Sequence, residues 1–66
     1  MFITVTDMTK KKVRLNAAYI VYIEEGEGVS CVYTIHAPSV FLNDEELEKL
    51  LFALEQLGLI YHEAMK

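Results

Sequence analysis

Residues 43–58 read NDEELEKLLFALEQLG, and this stretch decides the fold. Asn43, with Glu46 three positions on, is an N-cap and capping-box pair placed just before an apolar-periodic run. Leu42 and Leu47 fit the hydrophobic staple that fixes how the chain enters such a helix. Leu47, Leu50, Leu51, Leu54 and Leu57 recur at three- and four-residue spacing and form one stripe. Asp44, Glu45 and Glu46 favour the positive end of the helix dipole. Gly58 ends the helix in the left-handed conformation open to glycine, with Leu59 folding back onto Leu54. Phe52 lies to the side of the stripe, among Glu48, Glu55 and Gln56, where a large ring needs a cover.

Upstream of the helix the apolar period changes from three or four residues to two. Residues 2–6 alternate and are rich in β-branched side chains, as strands are. Asp7-Met8-Thr9-Lys10 supplies a turn, and Lys12-Val13-Arg14-Leu15 alternates again, completing an N-terminal hairpin. Asn16 breaks the pattern. Residues 19–23, Tyr-Ile-Val-Tyr-Ile, are apolar throughout, as expected of a strand covered on both faces. Glu24-Glu25-Gly26-Glu27-Gly28 has the composition of a solvated turn. In residues 29–36, Val29, Cys31, Tyr33 and Ile35 share one face, and Ser30, Val32, Thr34 and His36 the other. Pro38 ends this run, and Val40-Phe41-Leu42 reads as a short edge strand. The expected fold is α+β: a small antiparallel sheet of four or five strands, one C-terminal amphipathic helix and a short apolar tail. Residues 1–66 form a single domain.

A chain of 66 residues buries only about 60% of its unfolded surface, so its own core yields little net stability. Cys31 is the single cysteine, so disulfides cannot add to it, and a lone thiol fits a reducing compartment. The start Met1-Phe2-Ile3 lacks the basic and apolar regions of a secretory signal. No apolar run approaches the ~20 residues of a bilayer span. The expectation is a cytoplasmic protein without membrane insertion, for which self-association is the remaining source of buried area.

The charge is segregated along the chain. Ten acidic and six basic residues give a formal net charge of -4. Lys10, Lys11, Lys12 and Arg14 fall together, whereas Glu24, Glu25 and Glu27, then Asp44, Glu45, Glu46 and Glu48, form acidic groups. Nucleic-acid-binding domains are normally basic over a whole face, so the basic group reads as a solvated hairpin end.

No motif supplies an enzyme site. His36, His62 and Cys31 have the atoms for zinc but not the paired ligand spacing. Ser30 and Ser39 lack a nucleophile elbow, and neither histidine has an acid beside it in sequence to orient it. Gly26 and Gly28 are a lone G-x-G without a following helix, and the surrounding glutamates do not match a calcium loop. Cys31 has no neighbouring cation to activate it and reads as a small apolar residue. No catalytic residue, cofactor or metal is expected.

Two resemblances rest on these segments. Val13-Arg14-Leu15-Asn16, Ile20 and Ile23-Glu24-Glu25, followed by a strand, a turn and a capped helix, resemble the small bacterial flagellar and swarming-motility proteins of the FlbD type over about the first fifty residues. The run Ile20-Val21-Tyr22-Ile23-Glu24, the helix carrying Leu47 to Leu54, and Leu59-Ile60-Tyr61-His62 are also similar to the DNA-binding LytTR domain of response regulators. The first implies a small bacterial accessory protein without catalytic residues. The second implies a nucleic-acid-binding transcriptional regulator, whose phosphate contacts here would be Lys10, Lys11, Lys12 and Arg14.

The leading expectation is a small bacterial accessory or regulatory protein that acts by protein–protein contact, first with itself and then with a partner the sequence does not name. One short helix and a tail shield one face of a small sheet, so the other meets water, and exposed apolar patches mark contact sites. A two-fold homodimer is expected, with Tyr22, Val32, Phe52, Ile60 and Tyr61 at its interface. A degenerate LytTR-like nucleic-acid binder is the alternative.

Overall fold

The computed structural model describes residues 1–58. Strands β1 (Phe2–Thr6) and β2 (Lys12–Asn16) pair antiparallel, with Ile3 opposite Leu15 and Val5 opposite Val13. Alternation then turns Val5 and Leu15 into the core and leaves Thr4, Arg14 and Lys12 outside. The turn between the strands is organised by one carboxylate. Asp7 Oδ1 accepts from the Thr9 N–H (2.9 Å), the Thr9 hydroxyl (2.7 Å) and the Lys11 N–H (2.9 Å). These bonds hold the tight bend in which Lys10 takes a left-handed φ of 71°. The same three donors draw the Asp7 carboxyl below its usual range, led by the Thr9 hydroxyl.

Asn16 breaks the strand pattern by capping. Its side-chain oxygen accepts from the Ala18 N–H at 3.0 Å and starts a 3-10 turn over Ala17–Tyr19 that buries Ala17. Strands β3 (Ile20–Glu25), β4 (Ser30–Thr34) and β5 (Val40–Leu42) follow and make an antiparallel sheet in that order. Where one sheet of four or five strands was expected, the structure has five strands divided between a two-stranded and a three-stranded sheet. A backbone bond from Met8 N–H to the Phe41 carbonyl (2.9 Å) ties the hairpin turn to β5.

The unbroken apolar run at residues 20–23 has a different cause from burial on both faces. A bulge between Ile20 and Tyr22 shifts the register, so Ile20 and Ile23 face inward while Val21 and Tyr22 are both about half exposed, at 51% and 52%. Alternation is thus hidden in the sequence by one extra outward residue.

Helix α1 (Asp44–Gln56) starts as its sequence requires, with Asn43 Oδ1 accepting from the Glu46 N–H at 2.8 Å. The other half of the capping box is absent, because the Glu46 carboxylate is used elsewhere: Oε1 accepts from the Thr6 N–H of β1 (3.0 Å) and Oε2 pairs with Lys49 (3.1 Å). Gly58 has a φ of 78° and its N–H bonds the Glu55 carbonyl at 3.0 Å, giving the left-handed stop. The expected return of Leu59 onto Leu54 lies outside the described residues.

Leu47, Leu50 and Leu54 carry the buried face of α1, whereas Leu51 and Leu57 flank it and are exposed. Leu50 and Leu54 close over Val5, Leu15, Ala17, Ile20, Val32 and Leu42 to form one apolar cluster. Each fully buried leucine contributes about 1.5–3 kcal/mol from removal of apolar surface from water. No helix among the described residues is long and apolar enough to cross a membrane.

Candidate functional site

The core lies on one face of the β3–β4–β5 sheet, and the opposite face is open. Register decides which residues stand there. Tyr22 pairs with Tyr33, Glu24 with Cys31 and Cys31 with Phe41, while Ile23, Val32 and Val40 alternate to the covered face. Tyr22 and Tyr33 stack with ring centroids 4.4 Å apart and planes 19° from parallel. Such a pair presents a rigid, amphipathic surface at low entropic cost. The Tyr33 hydroxyl donates to Glu24 Oε1 at 3.0 Å. The Cys31 side chain and, after it, the Glu24 carboxylate favour the protonated phenol and raise its pKa well above the usual tyrosine range. Tyr33 therefore stays uncharged through neutral pH.

Phe41 stands beside this pair and is 53% exposed. One shallow groove runs from it past Val29 and Cys31 to Glu24 and Glu25; a second runs from it past Val29 and Val40 to Met8 and Thr9. The face thus has an acidic flank on the β3–β4 turn, an aromatic centre, and a flank formed by the β1–β2 turn, where Asp7, Met8 and Thr9 line the groove. Cys31 is buried within this face as a free thiol.

The residues expected at an interface are not brought to one place. Tyr22 belongs to the open sheet face. Val32 is completely buried in the core, which corrects its expected position: with Tyr22 opposite Tyr33, its neighbour Val32 must face inward, toward the helix. Phe52 is exposed, at 63%, but it lies with Phe2, Ile3, Ala53, Gln56 and Leu57 in a groove between α1 and β1. That groove is separate from the sheet face. Ile60 and Tyr61 lie outside the described residues.

Lys10, Lys11, Lys12 and Arg14 are all exposed on the β1–β2 hairpin. Lys12 stands opposite Thr6 and Arg14 opposite Thr4, with the two lysines before them on the turn. His36 is exposed at the end of β4 with a φ of 65°, and its ring meets the edge of Tyr19 at a centroid distance of 6.1 Å. Among the described residues no group of three or more His, Cys, Asp or Glu side chains could hold a metal ion.

Sequence reading passes over Phe41, Tyr33 and Met8 as surface residues. The signal for Phe41 is the triplet Val40-Phe41-Leu42, in which one apolar side chain must point away from two that enter the core. Comparison of the chain with protein-family profiles, with curated proteins and with solved structures returned no match.

Proposed function

We propose that this protein is a small accessory or regulatory protein that acts by protein–protein contact, and that it associates with itself. The observation that carries this reading is the open sheet face: a stacked tyrosine pair beside an exposed phenylalanine. Aromatic side chains are enriched at protein interfaces, where they contribute large contact area with few rotatable bonds. The groove at Phe52 and Phe2 is a second apolar surface, available to a different partner.

The clustering of four exposed cations on one hairpin supports a second reading, binding of nucleic-acid phosphate through Lys10, Lys11, Lys12 and Arg14. A net charge of -4 weighs against it. Sedimentation velocity across a dilution series tests the first reading: a species of twice the chain mass that dissociates on dilution supports it, and the monomer mass at tens of micromolar contradicts it. A labelled duplex titrated at physiological salt tests the second, because phosphate binding must appear and weaken steeply as salt rises.

A further inference from the structure

We infer that residues 59–61 of this chain, Leu-Ile-Tyr, dock in the groove between α1 and β1 as a short extra strand on the open edge of β1. A partner of that groove then reaches it only by displacing them. The docking is made within one chain and is independent of the self-association proposed above.

The open edge follows from the hairpin register. The Ala17 N–H bonds the Met1 carbonyl at 2.8 Å and the Asp7 N–H bonds the Lys11 carbonyl at 2.9 Å. Odd-numbered residues of β1 therefore exchange hydrogen bonds with β2, and even-numbered ones direct their N–H and C=O groups away from it. Along that outward edge the donors meet a different partner at each step. The Met8 N–H bonds the Phe41 carbonyl of β5 at 2.9 Å, and the Thr6 N–H bonds Glu46 Oε1 of α1 at 3.0 Å. Thr4 and Phe2 come next, and among the described residues no strand pairs with them on this side. Such an edge is a template for an added strand.

The chain leaves α1 at this same place. Helix α1 runs against β1, with Glu46 of its first turn at Thr6 and Gln56 and Leu57 of its end lining the groove beside Phe2 and Ile3. Gly58, with a φ of 78°, then turns the backbone off the helix axis. A strand that enters at Phe2 and is directed toward Thr6 runs parallel to β1. It covers the open positions within about 7 Å, two residues at roughly 3.3 Å each, before Glu46 closes the edge. Leu59, Ile60 and Tyr61 are sufficient in length, and all three are apolar, with a β-branched and an aromatic side chain suited to a half-buried strand.

Amide hydrogen exchange of the full chain at two protein concentrations tests the docking. The Thr4 amide should exchange on the order of tenfold or more slowly than in an unfolded chain, and equally at both concentrations. A full-length variant carrying Leu59→Asp with Ile60→Asp should return Thr4 to within about twofold of the unfolded rate while Val5, bonded to β2, stays protected and shows that the variant folds. Nuclear Overhauser contacts from the Ile60 methyl groups to Ile3, Ala53 or Leu57 should be present in the wild type. A Thr4 amide that exchanges at the unfolded rate in the wild type overturns the docking. Protection that the double variant leaves unchanged also overturns it, and protection that grows with protein concentration overturns it in favour of a second copy on the same edge.

Discussion

The Thr6 N–H donates to Glu46 Oε1 at 3.0 Å, joining the end of β1 to the first turn of α1 across forty positions of sequence. The glutamate satisfies a strand-edge donor that no neighbouring strand reaches, and it anchors the helix start over the hairpin. Its carboxyl is held below the ordinary glutamate value of 4.5, first by the Thr6 N–H and then by the Lys49 ammonium. A depressed carboxyl stabilises the fold above its unfolded pKa, and that contribution is lost as pH falls through the folded one. Asp7 acts with the same sign. Urea midpoints should therefore drop as pH falls from about 5 toward about 3, and Glu46→Gln should flatten that slope. An equal slope in the variant would contradict the linkage.

The face of α1 that enters the core is tested by three substitutions. Leu50 is fully buried and Leu50→Ala should cost about 2–5 kcal/mol. Asn43→Ala removes the acceptor for the Glu46 N–H and should cost about 1 kcal/mol. Phe52→Ala, at an exposed position, should change monomer stability by no more than about 0.5 kcal/mol. A severe Phe52→Ala beside a neutral Leu50→Ala in urea unfolding would invert the assigned face.

The β3–β4 turn depends on two glycines for different reasons. Gly28 has a φ of 82° with open space around it, so Gly28→Ala meets only backbone strain, about 1 kcal/mol. At Gly26 a Cβ would lie 2.9 Å from the Val29 carbonyl oxygen, the acceptor of the Gly26 N–H. Gly26→Ala should therefore break the closing bond of the turn. Hydrogen exchange at the residue 26 amide should accelerate in that variant and remain slow in Gly28→Ala.

The elements whose order is set by nearest-neighbour chemistry were readable from the sequence. Asn43 and Gly58 bound the helix through their own caps, and the alternation of Val13 and Leu15 against Lys12 and Arg14 places the hairpin. What remained hidden depends on contacts distant in sequence. Glu46 leaves its capping-box role because Thr6, forty positions away, offers a better-placed donor. The bulge at Val21 puts Tyr22 and Val32 on opposite faces, and a run of five apolar residues contains no mark of it. The proposed contact surface was legible as an excess of apolar residues but not as a place, since Tyr22 and Phe52 meet different surroundings only once the chain has folded.

Self-association through the open sheet face is the central claim, and amide resonances followed on dilution test it most directly. Between about 1 mM and about 5 μM protein, concentration-dependent shifts are expected to cluster at Tyr22, Cys31, Tyr33 and Phe41, as a dimer with a dissociation constant on the order of 10 μM dissociates. Shifts confined to Phe2, Phe52 and Leu57, or a spectrum unchanged by dilution at the 7.6 kDa monomer mass, would contradict it.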